Sequence, residues 1–145
     1  MATESATKII ATLRQQGVRI TTARRAVIAA LVRTDGHVTA EDIASAVQAD
    51  APEIHLSTVY RTLESLEELG VVDHVHLGHG SAVYHLAANR HQHLVCENCK
   101  KVIHLPHGVV DKLARDIDTR YHFTLRPHHF ALIGLCEDCR GASNR

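Results

Sequence analysis

The sequence predicts an α+β chain in two parts: a helical front half ending in a β-hairpin, and a smaller α/β back half clamped by four cysteines. Three observations predict it. Four helix-patterned segments precede an alternating strand–turn–strand stretch. Two Cys-x-x-C pairs, "CENC" at 96–99 and "CEDC" at 136–139, bracket a strand, a helix and a second strand. Six of the 13 histidines fall within residues 73–96, just ahead of the first cysteine pair. The expected boundaries are 1–86 for the front domain, 87–93 for a hinge and 94–145 for the back domain.

Residues 5–16 pattern as a short first helix ended by Gly17. In "TTARRAVIAALVRT", Ala26, Val27, Ala30 and Leu31 share a helical face, and Thr21 or Thr22 can cap its start. "TAEDIASAVQAD" opens on Thr39-x-x-Asp42, a capping-box variant, and Pro52 forces a break after it. "STVYRTLESLEELG" places Val59, Leu63 and Leu66 on one face and stops at Gly70, a natural C-terminal cap. "VVDHVHL", a Gly-rich turn "GHGS" and "AVYHLA" then read as a β-hairpin.

The last three helices and the hairpin follow the winged helix-turn-helix order, in which the final helix presents its N-terminal residues to a DNA major groove. Here that end carries Ser57, Thr58, Tyr60 and Arg61. Ser57 and Thr58 suit phosphate oxygens, and they also suit capping of the helix itself. Tyr60 suits a thymine methyl or a phosphate, and Arg61 a base edge or the backbone. Helix order alone is shared with many small helical domains.

Charge adds a direction. The net charge is zero, 16 Lys+Arg against 16 Asp+Glu, so overall balance is silent on nucleic acid. Residues 1–33, however, carry Lys8, Arg14, Arg19, Arg24, Arg25 and Arg33 against Glu4 alone. A basic front on a neutral protein fits a modest phosphate-binding surface, although a short arginine cluster is more often a solvated helix face. With 145 residues, 45% apolar and 22% charged, the chain reads as globular. No apolar run approaches the roughly 20 residues of a membrane helix, and the N-terminus lacks the apolar stretch of a secretory signal. No membrane partner and a cytoplasmic location are expected. In that reducing compartment four cysteines read as metal ligands rather than disulfides.

Cys96, Cys99, Cys136 and Cys139 together complete a tetrahedral all-sulfur site suited to structural zinc. The 36 residues between the pairs exceed a compact zinc ribbon, so the clamp must join two ends of a subdomain. That subdomain holds "KKVIHL" (strand), "HGVVDKLARDIDTRYH" (helix) and "FTLRPHHFALIGLC" (strand). A thioredoxin-type redox pair fits less well because no suitable helix follows.

The histidines sort by geometry. With a turn at Gly78–Ser81, Leu77 faces Ala82 and His74 sits opposite His85; His76 shares their face because alternate strand residues point the same way. His74, His76 and His85 thus form a candidate three-nitrogen site that a one-residue slip would destroy. His79 lies in the turn. His91 and His93 are again i, i+2, in the connector entering the cysteine strand, and His37 is a candidate partner for them. A metal held by groups from both halves would be a clasp between them. His128 and His129 must face opposite sides of a strand, and His55, His104, His107 and His122 read as exposed. A zinc hydrolase with an open three-histidine site is a rival reading. It needs a general base, and Asp73 points to the face opposite His74.

"STVYRTLESLEELG" followed by "HQHLVCENC" and "FALIGLCEDC" resembles the ferric-uptake-regulator (Fur) family of metal-dependent repressors, from about Arg14 to Cys139. The resemblance implies a homodimer, a C-terminal α/β dimerisation domain, and a hinge metal that closes the dimer over a palindromic double-stranded operator. It implies structural zinc on Cys96, Cys99, Cys136 and Cys139, and DNA contacts from Tyr60, Arg61 and, in the minor groove, Arg19. It further implies hinge ligands on His37, His91 and His93, with His85 where iron-type members carry Glu. Gln92 replaces the Asp of the family's "HDHL", although Asp111 and His129 match two ligands of an additional site. "HVHLGHG" with "YHL" resembles most the nickel-responsive (Nur-like) branch, where His74, His76 and His85 would join His129. Asn89 stands near a histidine expected of that branch. The zinc-sensing branch's hinge cysteine has no counterpart. Imidazole-only sites suit nickel, zinc or copper, so the expected regulatory metal is Ni2+, with Zn2+ or Fe2+ as alternatives.

Overall fold

The computed structural model describes residues 2–34, 36–77, 80–89, 91–106, 108–126 and 130–142. The chain divides into two compact units, one of residues 1–74 with 83–89 and one of residues 75–82 with 90–145. His79 and His129 lie outside the described residues, as do His107 and His128.

The first unit is built on α1 (Ala2–Gln15), α2 (Thr22–Arg33), α3 (Ala40–Gln48) and α4 (Leu56–Glu68). Leu13, Val27, Ile28, Leu31, Ile43, Val47, Val59, Leu63 and Leu66 form its core, none more than 3% exposed. Each such side chain contributes about 1.5–3 kcal/mol of burial. Helix ends follow the expected chemistry. Thr21 caps α2 by accepting from the Arg24 N–H (3.1 Å). Thr39 and Asp42 form the full capping box of α3. Gly70, at φ 70°, ends α4, with the Val71 N–H donating to the Leu66 carbonyl and the Gly70 N–H to the Glu67 carbonyl, both at 2.9 Å. This is the six-to-one and five-to-two pattern of a Schellman end.

One cap differs from expectation. α4 begins at Leu56 with His55 at its N-cap position, and no side chain closes that end. Ser57 and Thr58 therefore lie inside the first turn and do not cap it.

The strands of the wing are β1 (Val38–Thr39), β2 (Val72–His76) and β3 (Ala82–Leu86), in the order β1-β3-β2. β1 pairs antiparallel with β3, Val38 opposite Tyr84. The β2–β3 register differs from the predicted one by a single residue. The Ala87 N–H donates to the Val71 carbonyl at 2.9 Å, just beyond the strand ends, which sets Asp73 opposite His85 and His74 opposite Tyr84. The His74 and Tyr84 rings accordingly lie 6.0 Å apart. The cause is loop length: five residues separate His76 from Ala82, where the expected turn had four between Leu77 and Ala82. Because side chains alternate with period two, that one residue moves His85 to the other face from His74 and His76.

The second unit is a three-stranded sheet in the order β5-β4-β6, formed by β4 (Gln92–Cys96), β5 (Val102–Leu105) and β6 (Ala131–Gly134). β4 is central, antiparallel to β5 and parallel to β6. The parallel pair requires a crossover, and α5 (Asp111–Tyr121) lies within it. A last short helix, α6 (Glu137–Ala142), carries Cys139. His122 is the exposed C-cap of α5 in the left-handed region (φ 52°), its N–H donating to the Asp118 carbonyl at 2.9 Å.

Candidate metal centres and nucleic-acid face

The four cysteines converge, although 36 residues separate the two pairs. The tight turn after β4, in which the Lys100 N–H donates to the Cys96 carbonyl (2.9 Å), presents Cys96 and Cys99. The end of β6 delivers Cys136, and α6 delivers Cys139. Register does the rest: Cys96 pairs with Gly134 across β4 and β6, and the Glu97 N–H donates to the Gly134 carbonyl. The Cys99 and Cys136 sulfurs are 3.7 Å apart. Four thiolates about 2.3 Å from one zinc would stand about 3.8 Å from each other, so the sulfurs are spaced for zinc.

The electrostatics around the sulfurs are uneven. Backbone N–H groups, first that of Cys136 at 3.5 Å, favour the Cys96 thiolate and lower its pKa to about 6. The Asn98 amide donates to the Cys139 sulfur (3.3 Å) and pulls it down, but the neighbouring sulfurs and burial outweigh that donor, raising the thiol to about 11. Adjacent sulfurs cannot all ionise without a cation between them, which is the role zinc would fill.

In the same unit three imidazoles gather. His93, buried at 1% exposure, stands directly opposite His104 of β5, and His91 precedes β4. Ring centroids are 4.5 Å apart for His91–His93, 4.3 Å for His91–His104 and 5.3 Å for His93–His104. One ring nitrogen from each lies within 4.8 Å of the others, close enough for a shared ion. Burial lowers the His104 pKa, helped by the charge of His91, so its ring favours the neutral form a metal requires. His104, read from the sequence as exposed, is exposed in the structure and also joins His91 and His93 in this cluster, where sequence reasoning did not place it. Its signal is the β4–β5 pairing, which a strand pattern alone does not supply.

In the first unit His85, at 3% exposure, faces His37, with ring centroids 4.8 Å apart. His74 lies on the other face, where its Nδ1 is 2.6 Å from Glu67 Oε1. The predicted His74–His76–His85 triad is therefore corrected: one register step divides it. His76 is exposed and bridges Phe130 in the second unit, next to the undescribed His129.

The expected nucleic-acid residues lie on α4 and the loop before α2. Ser57, Tyr60 and Arg61 are exposed and Thr58 is half-buried. The Tyr60 hydroxyl donates to Glu41 Oε1 at 2.8 Å. Arg19 is exposed, and its carbonyl accepts from Arg24 Nη1 (2.6 Å) while Arg24 Nη2 donates to Ser65 Oγ of α4 (2.6 Å). Arg24 thus ties the Arg19 loop to the helix carrying Tyr60 and Arg61.

A winged helix-turn-helix followed by a sheet with a four-cysteine clamp and gathered imidazoles defines a metal-binding regulator. The chain belongs to the ferric uptake regulator family, whose profile matches residues 15–133. Proteins of this family are metal-responsive, DNA-binding transcriptional regulators and not enzymes, so the zinc-hydrolase reading is set aside. The peroxide-responsive repressor PerR of Staphylococcus aureus is 30% identical over 131 residues, covering 90% of this chain and 88% of PerR. The ferric uptake regulator of Vibrio cholerae has a similar structure, with TM-score 0.63 and 30% identity, covering 86% of this chain and 97% of that one. That of Pseudomonas aeruginosa, solved with manganese, gives TM-score 0.69 at 28% identity, covering 88% and 96%. Among the described residues no helix is long and apolar enough to cross a membrane.

Proposed function

We propose that this protein is a metal-dependent repressor that binds a palindromic operator as a homodimer, with a regulatory metal held entirely by imidazoles. The observation that carries this is the donor set: His37 beside His85 in one unit, and His91, His93 and His104 together in the other. Carboxylates favour manganese and help iron(II), whereas imidazoles alone suit nickel, zinc or copper. On this reading metal binding to these imidazoles favours the DNA-competent state. Moving such an equilibrium from mostly open to mostly closed takes about 5.5 kcal/mol of differential binding, within reach of a multidentate site.

Zinc in the cysteine clamp is structural, closing the second unit without an open coordination position. The exposed apolar residues of that unit, among them Ile103, Leu113, Phe123 and Ile133, support its role as the dimerisation domain. Ser57, Thr58, Tyr60 and Arg61 at the start of α4, with Arg19, form the DNA-contacting set. Nickel is the regulatory metal proposed, as in the Nur-like branch.

A metal-by-metal operator titration with nickel, zinc and iron(II) on the zinc-clamped protein tests this. Operator binding that is strongest with nickel supports the reading. Binding that ignores all three metals removes metal dependence, and a preference for iron(II) removes the nickel assignment.

A further inference from the structure

Glu41 and Tyr60 sit on the two helices of the helix-turn-helix, Glu41 in the first turn of α3 and Tyr60 near the start of α4, and both are exposed. The Tyr60 hydroxyl donates to Glu41 Oε1 at 2.8 Å. This bond holds the Glu41 carboxyl below its ordinary range and raises the Tyr60 phenol above its own, so the two meet as carboxylate and neutral hydroxyl. A phenol has one proton to donate, and here Glu41 accepts it. What Tyr60 still offers outward is its oxygen as an acceptor and the edge of its ring.

We propose that Glu41 is a positioning residue for DNA readout: by accepting the Tyr60 O–H it leaves the hydroxyl oxygen as an acceptor for an exocyclic amino group of a base in the major groove. Adenine N6 and cytosine N4 are the amino groups presented there, whereas guanine O6 and N7 and thymine O4 are acceptors with no proton to give. Phosphate oxygens are acceptors too. A free hydroxyl would rotate to donate to any of these, and its contact would carry little sequence information. The charge of Glu41 acts in the same direction. Close to a duplex a carboxylate opposes phosphate whatever the sequence, so it adds discrimination rather than affinity. The inference rests on Tyr60 being a DNA contact, as proposed above.

The test uses the full-length zinc-clamped dimer, loaded with whichever of nickel, zinc or iron(II) gives the strongest operator binding. Duplexes are selected from a random pool by the wild type. They are then remade with each adenine or cytosine in turn replaced by a nucleotide lacking only the exocyclic amino group. In the wild type one such position per half-site is expected to cost roughly 3- to 10-fold in affinity, the worth of one hydrogen bond. Tyr60→Phe and Glu41→Ala should each shrink that cost to under about twofold, and the double variant should shrink it no further. Glu41→Gln, which keeps an acceptor for the hydroxyl, should retain it, and Glu41→Ala should bind scrambled duplex more tightly than the wild type. If Glu41→Ala keeps the full cost while Tyr60→Phe removes it, or if Glu41→Gln loses it as Glu41→Ala does, the role of Glu41 is overturned and Tyr60 stands as a base contact. A wild type with no sensitive position overturns the amino-group contact. If Tyr60→Ala leaves affinity for the selected duplexes unchanged, the assignment of Tyr60 to DNA itself fails, and this inference with it.

Discussion

His37 and His85 face each other across β1 and β3, their ring centroids 4.8 Å apart, while His74 lies on the opposite face beside Tyr84. This relationship puts the hairpin histidines on different faces of the wing. Substituting His85 with Ala is expected to abolish metal-dependent operator binding, as is substituting His37. His74→Ala should leave the response mediated by His37 and His85 in place. Operator titrations across metal concentrations check this; equal loss from His74→Ala would return all three residues to one site.

His104→Ala separates the structural reading from the sequence reading. The residue is expected to be a ligand with His91 and His93, so its loss should weaken regulatory metal binding at least tenfold. Isothermal titration of the zinc-clamped protein measures this, and an unchanged affinity would return His104 to an ordinary surface position.

Protons compete with metal for the same ring nitrogens. Because the folded-state pKa of His104 is lowered, its neutral ring is compatible with the fold above the ordinary value of 6.5, and the charged ring opposes folding below it. Metal affinity is expected to fall as pH drops through the histidine range. His104→Gln should make that fall less steep, which metal titrations between pH 5.5 and 8 would reveal (pH range on the order of the imidazole pKa).

The cysteine clamp is expected to control stability more than metal response. Cys96→Ser or Cys136→Ser should release zinc and unfold the second unit. Structural zinc binds zinc-finger peptides with about 10–16 kcal/mol, comparable to the whole stability of a domain at about 5–15 kcal/mol. Zinc content and thermal melting decide it; a mutant that keeps zinc and melts normally would contradict the clamp.

Arg24 is expected to act on DNA binding without touching DNA. Arg24→Met removes its bonds to the Arg19 carbonyl and Ser65 Oγ, at a cost of about 2 kcal/mol in urea unfolding. Arg61→Ala should weaken operator binding at every metal concentration and leave stability within about 0.5 kcal/mol. Equal stability losses in the two variants would remove the distinction.

Much of the fold was legible because its signals are local. The Thr39–Asp42 box and the Thr21 cap depend on residues three apart, and the Gly70 stop depends on one glycine's access to positive φ. The start of α4 is less legible because Ser57 and Thr58 have cap chemistry but lie two and three residues past the N-cap position, which His55 holds. β1 is two residues long and exists only as a partner to β3, so no local pattern announces it.

By itself the sequence determined the order of the four helices and the hairpin, the caps of α2 and α3, and the cysteine clamp, since Cys-x-x-C spacing constrains each thiolate pair whatever lies between. Only the tertiary structure decided which imidazoles meet. Strand pairing is a long-range choice with period two, so a single loop residue sends His85 toward His37 rather than His74. The β4–β5 register likewise brings His104 to His93, a meeting that neither strand's own residues could specify.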